Sequence, residues 1–221
     1  ALECLHVYKH MMEVMQVTRC IAVATAAARS ASDGAQFIER IREETGIEIE
    51  IISGEREAYL GYLGVVNTID AKDFIQFDLG GASIEVSLVL NRKIKESVSV
   101  PLGAVTMTDK FGMQDIVTQG VLDKCIKHVE KKFREMIPWA KDRRLPVIGI
   151  GGTVRNLAKM DQYKTSYQLA RIHNYIIPRE RFEPCYQAII KSSCTNRRKF
   201  GGLSAERADI IVAGATIVRC L

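Results

Sequence analysis

Residues 74–89, with the sequence FIQFDLGGASIEVSLV, predict two β-strands joined by a tight turn. The first strand is apolar and leads directly into Asp78, and the turn contains Gly80, Gly81 and Ser83. A carboxylate at a strand end, small residues and a hydroxyl can place backbone N–H groups and a divalent cation around a phosphate. Similar turns also occur in plain hairpins, so the spacing leaves both a phosphate site and a simple turn open.

The N-terminal part predicts alternating helices and strands. Helical periodicity covers residues 1–16 and 34–45, and a further helix runs to about residue 65. Residues 19–24 read as a short buried strand, and isoleucines alternate with glutamates along 47–51. Strand–helix–strand order implies a parallel pair with a right-handed crossover.

The order of elements changes after residue 70. Three strands joined by short turns come first, over residues 74–77, 84–90 and 94–100. A long helix over 118–137 precedes a buried strand over 147–150, and two further helices cover 153–160 and 180–195. A helical stretch also follows Pro101, and Ser204 is a plausible N-cap of the last helix, with Glu206 near its positive end. Residues 161–180 are turn-rich and the least regular.

Composition excludes several other classes of protein. The 221 residues carry a formal net charge of +5, and no apolar run is long enough to span a membrane. No signal-peptide pattern opens the chain. The six cysteines lack the spacing of a metal site or a disulfide framework, which predicts free thiols in a cytosolic protein. Basic residues near 124–134 read as a solvated helix face rather than a nucleic-acid surface.

Four further blocks accompany the turn. They are ATAAARSASD at 24–33, IISGEREA at 51–58, GIGGT at 149–153 and GLSAERADIIVAG at 202–214. In this order and spacing, the whole chain resembles the exopolyphosphatase/guanosine pentaphosphate phosphohydrolase (Ppx/GppA) family. That family belongs to the actin-like, sugar-kinase-like phosphotransferase superfamily.

The resemblance implies an α/β fold built from two ribonuclease H-like domains, the actin-like ATPase fold. We expect a partial first domain over residues 1–65 and a largely complete second domain over 66–221, with a phosphate site in the cleft between them. The family begins with a strand and an Asp-Gly phosphate loop that this chain lacks. We therefore expect a fragment that folds in its second half but does not hydrolyse substrate efficiently by itself.

The resemblance also implies roles around the turn. Asp78 and Glu85 would hold Mg²⁺ or another divalent cation, whereas Gly80, Gly81 and Ser83 would contact phosphate. The competing interpretation makes Glu85 the solvent-facing residue of an alternating strand. In kinases of the superfamily a glycine turn approaches the nucleotide, which implicates Gly151, Gly152 and Thr153 as phosphate-binding residues; a tight packing turn is the alternative. Arg207 could reach a long polyanion.

Glu57 matches the second glutamate of the family's Ser-Gly-x-Glu-Glu-Ala pattern, which implies a catalytic base. Sequence alone allows a simpler role, because Glu57 and Glu55 could each complement the helix dipole. Thr25 and Arg29 follow a buried strand and could bind phosphate, since a guanidinium pairs with phosphate oxygens in a fork. The alternative for Arg29 is an ion pair with Asp33.

Several departures from the family pattern bear on catalysis. Ala82 replaces a glycine, Ile84 a threonine and Arg56 a glutamate, while Ala26 and Asp33 stand where the family has serine and asparagine. We expect Mg²⁺-dependent release of phosphate from inorganic polyphosphate or guanosine pentaphosphate, with inorganic polyphosphate or a guanosine penta- or tetraphosphate as the bound partner. A non-catalytic regulator that binds these ligands and a kinase are the rivals. We also expect a cytoplasmic homodimer with no nucleic-acid or membrane partner.

Overall fold

Two short parallel strands organise the N-terminal part of the chain in a computed structural model, which describes residues 1–168 and 171–221. Ala22 of the first strand lies opposite Ile49 of the second, so the predicted parallel pairing is confirmed. The short helix at 26–30 was not predicted. The elements of this part, in order, are α1 (Leu2–Val14), β1 (Ala22–Ala24), α2 (Ala26–Ser30), α3 (Gly34–Thr45) and β2 (Ile49–Ile51).

A four-stranded sheet organises the rest of the chain, with strand order β5-β4-β3-β6. Its first three strands are antiparallel neighbours, and β6 adds parallel to β3. This confirms the predicted order of a ribonuclease H-like unit. The elements are α4 (Gly54–Val66), β3 (Phe74–Leu79), β4 (Ile84–Leu90), β5 (Lys93–Val100), α5 (Ala104–Phe111), α6 (Gln119–Met136), β6 (Val147–Ile150), α7 (Gly152–Lys164), α8 (Arg179–Ile190), α9 (Cys194–Arg197) and α10 (Ile211–Cys220).

The two faces of this sheet differ in chemistry. One face carries Ile75, Phe77 and Val86 into the main core, together with apolar residues of α5, α6, α7 and α10. On the other face, Phe74 and Val89 pack with residues of α4, of the loop after it, and of β5 and β6. Closer to the 80–83 turn this second face is polar and nonetheless buried, with Gln76, Ser83, Glu85 and Ser87 between 1% and 6% exposed.

Two helix boundaries differ from the prediction. The final helix begins at Ile211, because residues 205–207 form a single 3₁₀ turn. The helix predicted over 180–195 is interrupted after Ile190, and α9 begins where Ser193 accepts a hydrogen bond from the Asn196 N–H. Ser193 therefore serves as the N-cap of a separate short helix.

The irregular region at 161–180 is partly helical, since α7 continues through Lys164. Leu169 and Ala170 lie outside the described residues. The chain divides into two compact units, residues 1–57 and 58–221. The division falls inside α4, whereas the predicted boundary followed this helix. In the part of the chain that the structure describes, no helix is long and apolar enough to cross a membrane.

Candidate functional site

The turn between β3 and β4 is held in place by the first residues of α5. The carbonyls of Gly80 and Gly81 accept hydrogen bonds from the N–H groups of Ala104 and Val105, at 3.0 and 2.9 Å. A Cβ atom added to Gly103 would lie 2.1 Å from the Gly81 carbonyl oxygen, which leaves no room for a side chain. The position of the turn therefore depends on a close contact between two backbone segments.

The same turn leaves backbone donors available. Within the described residues, the N–H groups of Gly81 and Ala82 donate to no protein acceptor, and both glycines of the turn are exposed. Neither Gly80, Gly81 nor Ala82 has a positive φ. The methyl group of Ala82 therefore causes no backbone strain, and the glycines serve close approach rather than an unusual conformation. Such N–H groups can donate to the oxygens of a phosphate.

We expect Gly103→Ala to displace the turn and to lower both stability and phosphate binding. Overpacking of this kind typically costs about 1–3 kcal/mol. Thermal unfolding and phosphate titration of the variant would measure the two effects. Gly120→Ala is the control, since its Cβ would meet nothing within 4 Å in the first turn of α6. If Gly103→Ala behaved like Gly120→Ala in both assays, the contact would not fix the turn.

Asp78 and Glu85 are direct cross-strand partners at the end of the sheet. Burial raises the pKa of the Asp78 carboxyl, the negative charge of Glu85 raises it further, and Arg155 opposes both. Glu85 is 3% exposed, so the interpretation of this residue as solvent-facing is wrong. Its Oε1 accepts hydrogen bonds from the Ser83 and Ser99 hydroxyls, each at 2.7 Å.

The chemistry of this carboxylate pair fits a hard divalent cation. Two adjacent like charges repel, and a cation between them relieves that repulsion. Among the described residues, no group of three or more His, Cys, Asp or Glu side chains could hold a metal ion. Mg²⁺ is commonly bound by one or two carboxylates together with water and phosphate oxygens, so the pair at Asp78 and Glu85 suits this cation.

The N-terminus of α7 lies directly beside Asp78. Gly151 precedes this helix with φ +99°, and a Cβ there would lie 2.6 Å from the Leu79 carbonyl oxygen and 2.9 Å from Asp78 Oδ1. Thr153 is 1% exposed, and its side chain packs against Gly214 of α10. The turn therefore serves tight packing and also brings a helix N-terminus, which favours anions, to the carboxylate pair.

Arg207 lies over the same helix N-terminus. A Cβ on Gly152 would lie 2.3 Å from Cζ of Arg207. Asn156 connects the two segments, since its Nδ2 donates to the Gly152 carbonyl and its Oδ1 accepts from the Ser204 N–H, each at 2.8 Å. In the described part of the chain, the guanidinium makes no hydrogen bond or ion pair. The Arg207 guanidinium is therefore available to bind an anion.

We expect Arg207→Ala to weaken the binding of inorganic phosphate or polyphosphate about tenfold, because a hydrogen bond to a charged group contributes about 1.5–3 kcal/mol. Isothermal titration of the folded variant would measure the loss. Arg198→Ala removes an exposed arginine elsewhere and should bind as the wild type does. Equal affinities for the two variants would remove Arg207 from the anion site.

The first unit holds a separate group of predicted residues. Arg29 Nη1 lies 3.5 Å from Glu57 Oε2 and donates to the Ile52 carbonyl at 2.7 Å. The carboxylate partner of Arg29 is therefore Glu57 rather than Asp33. Thr25 precedes α2, and its carbonyl accepts the Arg29 N–H at 3.0 Å. These contacts bring three of the predicted residues together.

Sequence reasoning missed Arg155, Asn156 and Ser99. Arg155 and Asn156 follow the Gly151-Gly152 turn within one helical turn, a position from which both could have been suspected. Ser99 is one of two serines that alternate along β5, and only its register with Glu85 gives it a role.

The whole chain, residues 1–221, matches the model of the Ppx/GppA phosphatase family, and the protein belongs to that family. One curated relative is the bifunctional 3-dehydroquinate synthase/phosphatase of Fusobacterium nucleatum, 27% identical over 99% of this chain and 34% of its own length. Another is exopolyphosphatase 1 of Mycobacterium bovis, 26% identical over 89% of this chain and 58% of its own length. The chain thus spans between a third and three fifths of these relatives.

Solved structures share the fold. The crystal structure of an exopolyphosphatase from Cytophaga hutchinsonii superposes with a TM-score of 0.88. The alignment covers 99% of this chain and 72% of that one, with 24% sequence identity. The expected α/β fold class is therefore confirmed.

Proposed function

We propose that this protein is a phosphoanhydride hydrolase that releases phosphate from the ends of inorganic polyphosphate. The observation that carries the proposal is the surrounding of the Asp78–Glu85 pair by anion-binding groups. The free N–H groups of the 80–83 turn and the N-terminus of α7 are positioned by short backbone contacts, and the Arg207 guanidinium lies against Gly152 at that N-terminus. Membership in a phosphatase family and the similarity to exopolyphosphatases support this assignment.

Each group has a distinct part in the proposed reaction. Mg²⁺ held by Asp78 and Glu85 would supply positive charge next to the phosphate oxygens. The N–H groups of the turn and Arg207 would orient the terminal phosphate and stabilise the charge that develops on it. Arg29 would bind phosphate, together with Thr25, in the first unit. Glu57 would orient or deprotonate the attacking water, which is the task of a general base.

Two departures from the family pattern do not oppose catalysis. Ala82 has an ordinary backbone conformation, and Ile84 is fully buried on the core face of the sheet, opposite to the face that carries Glu85. Neither side chain therefore blocks the anion-binding face. These two departures therefore give no support to the alternative of a non-catalytic regulator that only binds phosphate chains.

Phosphate release tests the assignment. We expect the intact protein, with Mg²⁺, to release orthophosphate from long polyphosphate, and guanosine pentaphosphate is the second substrate to compare. Phosphate transfer to a sugar or a carboxylate from a nucleotide, without hydrolysis of polyphosphate, would instead indicate a kinase. Saturable binding of polyphosphate without any release would indicate a regulator.

Assembly and location belong to the same proposal. We propose a cytoplasmic homodimer, on the grounds of free thiols and of the family resemblance. Sedimentation at several concentrations would test the dimer, and a single species at monomer mass would contradict it.

A further inference from the structure

The direction of one hydrogen bond assigns an unexpected role to the serine of the turn. Ser83 Oγ donates its hydrogen to Glu85 Oε1 at 2.7 Å, and the pair is buried. A hydroxyl has a single hydrogen and two acceptor lone pairs. While Glu85 is ionised, Ser83 therefore has no hydrogen left to give to a phosphate oxygen.

An ionised phosphate oxygen is itself an acceptor, so it forms no hydrogen bond with the lone pairs of Ser83. A cation can bind those lone pairs, because hard cations bind hydroxyl and carboxylate oxygens. Ser83 is the last residue of the 80–83 turn, which joins the strand of Asp78 to the strand of Glu85. Asp78 and Glu85 lie opposite each other, so the Ser83 oxygen is at the same end of the sheet. We propose that Ser83 is a cation ligand rather than a phosphate donor, a refinement that rests on the proposed function.

Ser99 completes this arrangement. It lies opposite Glu85 on β5, and its hydroxyl donates to the same Oε1 at 2.7 Å. Its hydrogen bond fixes the carboxylate in the orientation that receives the Ser83 hydrogen. Ser99 is therefore a positioning residue, which acts on the cation through Glu85 and Ser83. Removal of such an outer partner typically weakens metal binding by about 10–100-fold.

The adjacent strand position offers a matched control. Ser97 lies on the same face of β5, two residues before Ser99, and its hydroxyl bonds the Ser87 hydroxyl at 3.0 Å. Ser97→Ala and Ser99→Ala each delete one hydroxyl from the same strand face. Only the second deletion removes a hydrogen bond to Glu85, so a general effect of strand packing would appear in both variants.

The test measures binding of Mn²⁺ to the intact protein in the absence of substrate, from the electron paramagnetic resonance signal of the free ion. Mn²⁺ suits the same oxygen ligands as Mg²⁺. We expect Ser83→Ala and Ser99→Ala to weaken Mn²⁺ binding about tenfold, whereas Ser97→Ala binds as the wild type. Binding of inorganic phosphate without metal should be unchanged in Ser83→Ala and Ser99→Ala, and thermal unfolding checks that all variants fold.

Several results would overturn the inference. Ser83→Ala could lose phosphate affinity and keep Mn²⁺ affinity, which would restore the donor role. Equal Mn²⁺ affinities for Ser99→Ala and Ser97→Ala, or no saturable Mn²⁺ binding by the wild type, would also contradict it. The proposed hydrolysis is assayed separately on the same preparations. If the Ser83→Ala and Ser99→Ala variants lose Mn²⁺ affinity but the wild type does not cleave polyphosphate, this inference stands and the proposed reaction is contradicted.

Discussion

Glu57→Gln is expected to lower the turnover of polyphosphate by at least about a hundredfold, the usual scale for loss of a general base. Glutamine keeps the size of the side chain but cannot accept a proton from water. Binding of polyphosphate should persist, because the change frees Arg29 from its carboxylate partner without removing a positive charge. Steady-state release of phosphate would show the fall in kcat, and a binding titration would show the retained affinity.

Glu55→Gln is the matched control for this experiment. Glu55 and Glu57 are both in the first turn of α4, so both complement the helix dipole. Glu55 is exposed and Glu57 is half-buried beside Arg29. We expect the control to keep wild-type turnover. Near-normal turnover of Glu57→Gln, or equal losses in the two variants, would remove Glu57 from the reaction.

Asp78→Asn is expected to raise the Mg²⁺ requirement and to reduce activity by at least about tenfold, since a neutral amide is a weaker ligand for a hard cation. The same change should stabilise the metal-free protein at neutral pH. The pKa of Asp78 is raised by burial and by Glu85, so its ionisation costs stability as the pH rises from the ordinary range of an aspartate through the raised value. Asparagine has no such cost.

Thermal unfolding in the presence of a chelator would measure this gain. It should be largest at neutral pH and should shrink as the pH falls toward about 4, where an unfolded aspartate also binds its proton. Asp70→Asn is the control, because Asp70 is fully exposed and 4.0 Å from Arg92. An unchanged Mg²⁺ dependence together with unchanged stability would assign Asp78 to the turn alone.

Local patterns predicted the strands well because alternation and turn residues act over short distances. The three strands around Asn91 follow the order read from the sequence, and β6 leads into the glycine turn as expected. The predicted start of the last helix was wrong, and the reason lies in tertiary contacts. Ser204 precedes the 3₁₀ turn at residues 205–207 rather than the helix, and its N–H donates to Asn156 of α7, a residue distant in sequence.

The site shows the same division between local and tertiary information. The turn that places Asp78 next to the glycines could be predicted because these residues are adjacent in sequence. The burial of Glu85 could not be predicted, because the alternation of apolar and polar residues along β4 implies that one face of the strand is solvated. The contacts of Ser99 and Arg207 depend on register and on segments distant in sequence. No spacing rule indicates them.

The most direct test of the central claim follows long polyphosphate by ³¹P nuclear magnetic resonance in the presence of the intact protein and Mg²⁺. The proposed function predicts that the orthophosphate signal grows while the number of chain ends stays constant. It also predicts that a chelator stops the reaction and that Glu57→Gln slows it at least about a hundredfold. No orthophosphate under these conditions, or undiminished release by Glu57→Gln, would contradict the assignment of this family member as an exopolyphosphatase with its base at Glu57.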